Sequence, residues 1–175
     1  PEDAGEMKVT GFSIKASSAP PLTKEILGKV FTMIATGEDE DMIYEVARPL
    51  IKCIFNGEKS ISDAASYGSL SKELDEYHPS HTPNAAKAAI YSNQYNGTDF
   101  GKRDSVKWVF IDDVPEGQPY CNVIAYDNES ELEGYSIDWG TVVNKWVHKK
   151  LKSVYETLNW NLDGLTARRV PKRFW

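Results

Sequence analysis

Gly68, Ser69, Leu70, Ser71 and Lys72 put hydroxyls, a permissive backbone position and an ammonium group into one short polar loop. Further along, Thr82 and Pro83 read as the capped start of a helix that carries Lys87 one turn in, and Lys102-Arg103 reads as a basic turn before a strand. Hydroxyls, backbone amides and cations at the ends of rigid elements can hold phosphate groups without reading bases. Taken singly, each of these residues is an ordinary solvated side chain or cap, since surface Ser and Lys are common. Nothing in these residues alone lifts a phosphate grip above that ordinary reading.

The elements that must position them can be read in chain order. Lys8 to Ile14 suits a short strand. Pro20-Pro21 followed by Leu22, Ile26, Leu27, Val30, Phe31 and Ile34 predicts a helix ended by Gly37, because proline is tolerated in a first turn and the apolar residues recur at helical spacing. Glu38, Asp39, Glu40 and Asp41 suit the positive end of a second helix, whose stripe is Met42, Ile43, Val46, Ala47, Leu50, Ile51, Ile54 and Phe55, with Gly57 as the stop. Pro49, lacking an amide hydrogen, should kink or divide it. The short turn between the two implies an antiparallel helical hairpin.

Residues 58–81 read mostly as loop, with weak strand potential from Ile61 to Ser66. Thr82 then caps a helix that runs to about Tyr95 and closes at Asn96-Gly97. Val106, Trp108 and Phe110 alternate with Lys107 and Val109 as a strand, and a second strand, Cys121 to Tyr126, should form an irregular hairpin with it. The acids between them, Asp112, Asp113 and Glu116, resemble a metal cluster but sit in turn chemistry with Pro115 and Gly117. One long amphipathic helix is expected from Ile137 to Leu158, its apolar face including Trp139, Val142, Trp146 and Leu151 and its remainder Lys145, His148, Lys149, Lys150 and Lys152. The Trp139, Trp146 and Leu151 face should pack on the helix beginning at Pro20. Asn161 to Trp175 has no periodicity and reads as an extended tail.

With 175 residues, 41% of them hydrophobic and 26% charged, the chain can bury a core of its own. It has no apolar run of membrane-spanning length and no basic-then-apolar opening, so it reads as soluble and not visibly exported. Cys53 and Cys121 lie in apolar patterns without metal or redox spacing and are expected as buried free thiols of a reducing compartment. The net charge of −6 is unevenly spread: Lys145 to Trp175 holds eight Lys or Arg against Glu156 and Asp163, and the rest holds twelve against twenty-four acids. A basic C-terminal part beside an acidic body suits an anionic partner on one face, although a basic helix is also often a solvated face, and overall acidity excludes indiscriminate coating of nucleic acid. His78, His81 and His148 assemble into no hydrolytic triad and read as caps or surface positions. The opening Pro1 to Glu6 is polar and does not begin with methionine, as in a piece of something longer.

Together these residues resemble the family B replicative DNA polymerases, most closely those of T-even-type tailed bacteriophages. Met7, Lys8 and Gly11 followed by Ser17, Ser18 and Pro20 look like the passage from the last palm strand into the first thumb helix. Leu70 to Lys72 resembles a thumb loop that touches the duplex. Pro83 and Lys87 fit the Pro-x-x-x-Arg/Lys spacing of the next helix, and Asp104, Val106, Lys107, Trp108 and Val109 are similar to a Gly-Asp-Lys-Val-x-Tyr-Val strand. Ile137, Asp138 and Trp139, then Lys145 and Leu151, fit the Met/Ile-Asp-Tyr signature of the final helix. The likeness covers nearly the whole chain through individually weak motifs. It departs at Ala16, where the family has lysine, at Glu73, where an aromatic is expected, and in a tail without the Leu-x-x-Phe-Phe-like ending.

The resemblance implies an α+β, mainly helical thumb: residues 1–7 the end of the palm, 8–160 the thumb with its helical hairpin and small antiparallel sheet, 161–175 a tail. It implies part of a DNA-directed DNA polymerase acting in the host cytoplasm, with Lys15, Ser17, Ser18, Ser69, Ser71, Lys72, Lys87, Lys102 and Arg103 on the phosphates of primer-template DNA. Lys15, Ser17, Ser18, Ser71, Lys72 and Lys87 are expected on one concave face. The family's Asp-x-x-Ser-Leu-Tyr and Tyr-Gly-Asp-Thr-Asp segments, which hold catalytic Mg2+ in the palm, do not occur here, so this segment should be inert by itself. The palm is an implied partner, and a sliding clamp could receive Phe174 and Trp175, steered by Arg168, Arg169, Lys172 and Arg173. Those two aromatics could equally fold back over apolar surface. A separate thumb subunit of a split polymerase, and a phage interaction module without a DNA role, are the alternatives.

Overall fold

The computed structural model describes residues 18–169, so the expected strand from Lys8 to Ile14, the sites Lys15 and Ser17, and the aromatics Phe174 and Trp175 lie outside the described residues. The fold is α+β and mostly helical, with one small antiparallel sheet. The chain divides into two compact units, one formed by the residues up to Lys59 together with those from Trp139 onward, the other by Ser60–Asp138.

In the first unit, helix α1 (Pro21–Ala35) buries Leu22, Ile26, Leu27 and Val30, and Gly37 turns the chain at φ 84°. Helix α2 (Glu40–Phe55) starts at Asp39, whose carboxylate accepts the Met42 amide at 2.9 Å, and it packs on α1. Pro49 does not divide it: the helix runs unbroken with Pro49 exposed, so the carbonyl that loses its donor is on the water side. The apolar stripe is narrower than its sequence suggests. Ile43, Ala47, Ile51 and Ile54 are buried, whereas Met42 and Val46 are 50% and 41% exposed.

The expected single helix from Ile137 is instead a composite. Ile137 belongs to a strand of the second unit, and α5 begins at Trp139 (Trp139–Val143), passes through a π-helical stretch, Asn144–His148, and continues as α6 (Lys149–Leu158). The π stretch, with buried Trp146, packs on α1. Trp139 sits elsewhere, at the end of α2, where a Cβ on Gly57 would come within 3.1 Å of its Nε1. Asn159 in the left-handed region (φ 58°) ends α6.

The stretch expected to be extended holds a short helix, α7 (Leu162–Thr166), capped by Asn161 and burying Leu162 and Leu165. Long-range contacts invisible to periodicity hold it there. Arg48 donates to the carbonyls of Leu165 (2.9 Å), Ala167 (2.6 Å) and Arg168 (3.3 Å), and His148 Nδ1 lies 2.6 Å from the Thr166 hydroxyl. His148 is thus an internal tie and not a surface position.

In the second unit, Ser60 caps a one-turn helix, α3 (Ile61–Ala64), in place of the weak strand potential read there, and the strand, β1 (Ser66–Ser69), starts later. After two 3-10 turns, α4 (Asn84–Tyr95) begins two residues beyond the expected cap, Thr82. Pro83 is its N-cap, and the Thr82 hydroxyl instead bonds the His78 carbonyl at 2.8 Å. Gly97 (φ 72°) follows its end.

Strand β2 (Ser105–Asp113) is the centre of the sheet, paired antiparallel with β1 on one side and β3 (Val123–Tyr126) on the other. Strand β4 (Ser136–Ile137) joins the far end of β2 at Ile111 and Asp113 across an irregularity in register. Both alternating rows of β2 are covered from Trp108 to Ile111, so this strand is a core strand despite its charged neighbours. Tyr91 of α4, Val109, Ile111, Ile124, Tyr126 and Leu132 form the core. The Tyr91 hydroxyl donates to the Pro119 carbonyl at 2.8 Å and that of Tyr135 to Asn96 and Gln118, which ties down the turn after β2. Cys53 and Cys121 are free and half-buried, less covered than their apolar neighbours predict.

Candidate nucleic-acid interface

The polar loop and the basic turn are far apart in sequence but are stapled together in the second unit. At the end of β1, Ser69 pairs with Ser105 of β2. The ladder then continues one step past the strand, with the Leu70 amide donating to the Asp104 carbonyl at 2.9 Å and the Arg103 amide to the Leu70 carbonyl at 2.7 Å. Leu70 is 1% exposed, an apolar peg that pins the loop while Ser69, Ser71 and Lys72 on either side of it stay exposed. Lys102 and Arg103 are exposed at the same edge.

Local chemistry sets the shape of both segments. Asp104 accepts the Gly101 amide at 2.8 Å through its carboxylate and donates its own amide to the Gly101 carbonyl at 3.0 Å, closing a tight turn. Arg103 occupies the left-handed position of that turn, φ 77°, where glycine is the unstrained choice. On the loop side, the Ser71 amide donates to the Tyr77 hydroxyl at 3.1 Å, and the Lys72 ammonium stands 5.5 Å from the Tyr77 ring centroid. The hydrogen bond from the Ser71 side chain, foremost, holds the Tyr77 phenol below its usual pKa.

Gly68 has a separate role. A Cβ there would fall 2.5 Å from Cβ of Ala85, so the start of α4 rests directly on the backbone of β1. That close approach brings α4 against the strand that carries the loop.

Ser69, Ser71, Lys72, Lys102 and Arg103 therefore share one edge. Lys87 does not join them. Its ammonium donates to Asn122 Oδ1 at 2.6 Å, and the Asn122 carbonyl accepts the Ile111 amide. Lys87 thus turns its ammonium to the strand beside Ile111, and its hydrogen bond goes to Asn122 and not to the loop. Ser18 is in the first unit and half-buried.

The edge is electrostatically mixed. Glu73, Asp75, Glu76, Asp99 and Asp104 are exposed among its cations. Its grip would come from discrete donors, Ser hydroxyls, an ammonium pair and a guanidinium, and not from a broad positive field. Tyr77, which sequence reasoning passed over, and Leu70 and Asp104, which it named without a positioning role, hold these segments in place; the one legible sign was an isolated leucine in a polar loop. Among Asp112, Asp113 and Glu116, the turn role is visible in the Asp113 carboxylate, which accepts the Val114 amide at 2.9 Å. Among the described residues no helix is long and apolar enough to cross a membrane.

Comparison of the chain with protein-family models and with curated proteins finds no match to either.

Proposed function

We propose that the chain is a thumb of the family B DNA polymerase type, whose second unit grips the sugar-phosphate backbone of primer-template duplex. The observation that carries this reading is Arg103. A non-glycine residue in the left-handed region costs on the order of 1–2 kcal/mol, and here it is spent on holding a guanidinium and its neighbour Lys102 beside Ser69, Ser71 and Lys72. Strain of this kind persists where the side chain, and not the turn, is wanted. The action is positional: the exposed donors hold successive phosphates behind the site of synthesis, and nucleotide transfer belongs to a palm outside this chain.

Because the edge offers few cations among several carboxylates, binding is weak, independent of base sequence and moderately dependent on salt. Fluorescence anisotropy of the chain with labelled duplexes of unrelated sequence, over a series of salt concentrations, tests this. The reading expects equal affinities falling linearly on a log–log plot against salt. Absence of binding at low salt would favour an interaction module without a DNA role.

A further inference from the structure

The first unit carries a second gathering of cations, created by the π-helical stretch. In an α-helix, residues five apart point to different sides, but a π turn closes i to i+5 and brings such residues onto one side. Lys145 lies in the stretch Asn144–His148 and Lys150, five residues on, in the first turn of α6. Their ammonium groups stand 5.9 and 5.7 Å from the centroid of the same ring, that of Trp146. Both lysines are half-buried, whereas Lys149 and Lys152 on the same element are exposed.

Among the described residues the ion pair formed is Lys59–Glu25, so neither ammonium has a carboxylate within reach. Burial, and then the charge of Lys145, lowers the pKa of Lys150. Two like charges held at one buried indole repel each other, and an anion bound by both offsets the repulsion. π turns concentrate at functional positions, and at this one both ammonium groups stand over the same indole ring.

We propose that Lys145 and Lys150 form a binding site for a phosphate group, with the Trp146 indole as its floor. Phosphate suits two ammonium donors, which act as point charges and need several acceptor oxygens but no planar fork. The site lies wholly in the first unit and does not rest on the edge at Arg103.

The test follows the Trp146 indole N–H by NMR in the full chain, assigned with Trp146→Phe, during titration with inorganic phosphate and, separately, with a short DNA duplex. Phosphate should give a saturable shift that chloride at equal ionic strength does not. Lys145→Ala/Lys150→Ala should weaken it about tenfold or more, since hydrogen bonds to charged groups are the strong ones, while Lys149→Ala/Lys152→Ala, which removes the same charge, should leave it nearly unchanged. Lys145→Arg/Lys150→Arg, which keeps both charges, checks that a loss is not one of folding. Competition between duplex and phosphate would assign the site to a polynucleotide backbone, and phosphate binding that duplex leaves intact would assign it to a free phosphate or phosphomonoester. Equal losses in the two alanine pairs, or a shift reproduced by chloride, would overturn the proposal.

Discussion

Arg103→Gly separates stability from binding. At φ 77°, Arg103 bears strain of on the order of 1–2 kcal/mol that glycine would not. Glycine in turn adds unfolded-state freedom worth roughly 0.5–1 kcal/mol. The turn itself rests on backbone groups and on the Asp104 carboxylate, all of which remain. The net expectation is a protein more stable by about 0.5–1 kcal/mol, seen as a midpoint raised by roughly 1–4 °C in thermal unfolding. The same variant should bind duplex DNA more weakly and lower the salt slope by about 0.9, the share of a single phosphate. Opposite signs in the two assays are the signature. A less stable variant would mean that the Arg103 side chain supports the fold and that strain is not its main feature, and unchanged DNA affinity would remove Arg103 from the interface.

Gly68→Ala should destabilise by about 1–3 kcal/mol through overpacking, because the new Cβ meets Ala85 at 2.5 Å; Gly68→Ala/Ala85→Gly should recover part of that stability in urea unfolding, and no recovery would show that the close approach is not the cause. Trp146→Ala, which empties a buried site on the π stretch, should cost roughly 3–5 kcal/mol, and an unchanged thermal midpoint would refute its packing on α1. Tyr126 and Tyr155, and also Tyr91, have phenols pushed up to about 12, chiefly by burial. An unfolded tyrosine ionises near 10, so between pH 10 and 12 the unfolded state binds fewer protons and stability falls as pH rises. Urea midpoints should therefore drop over that window, and these tyrosines should ionise together with unfolding in the phenolate absorbance.

The parts of the fold that local chemistry dictates were legible: the prolines opening α1, the acids and Asp39 at the start of α2, the alternation of β2, and Gly97 after α4. What could not be read depends on partners distant in sequence. Arg48 reaches three carbonyls more than a hundred residues away, and these, not periodicity, order α7. Ile137 suits a helix by spacing, but Ile111 claims it for the sheet. The π stretch is hidden because its apolar positions still suit a helix, and so the shared approach of Lys145 and Lys150 to the Trp146 ring could not be read from spacing. At the candidate interface, residue types mark Ser69 to Lys72 and Lys102-Arg103 correctly as neighbours of ordered elements, but spacing alone places Lys87 with them, and Asn122 holds it elsewhere.

The salt dependence of duplex binding tests the central claim most directly. Anisotropy titrations of several unrelated duplexes would be compared between the unaltered chain and Lys72→Ala/Lys102→Ala/Arg103→Ala. If these cations hold phosphates, affinity falls by the same factor for every duplex and the log–log salt slope flattens by about 0.9 for each phosphate no longer neutralised. A slope that does not change, or a weakening confined to particular sequences, would contradict the phosphate grip.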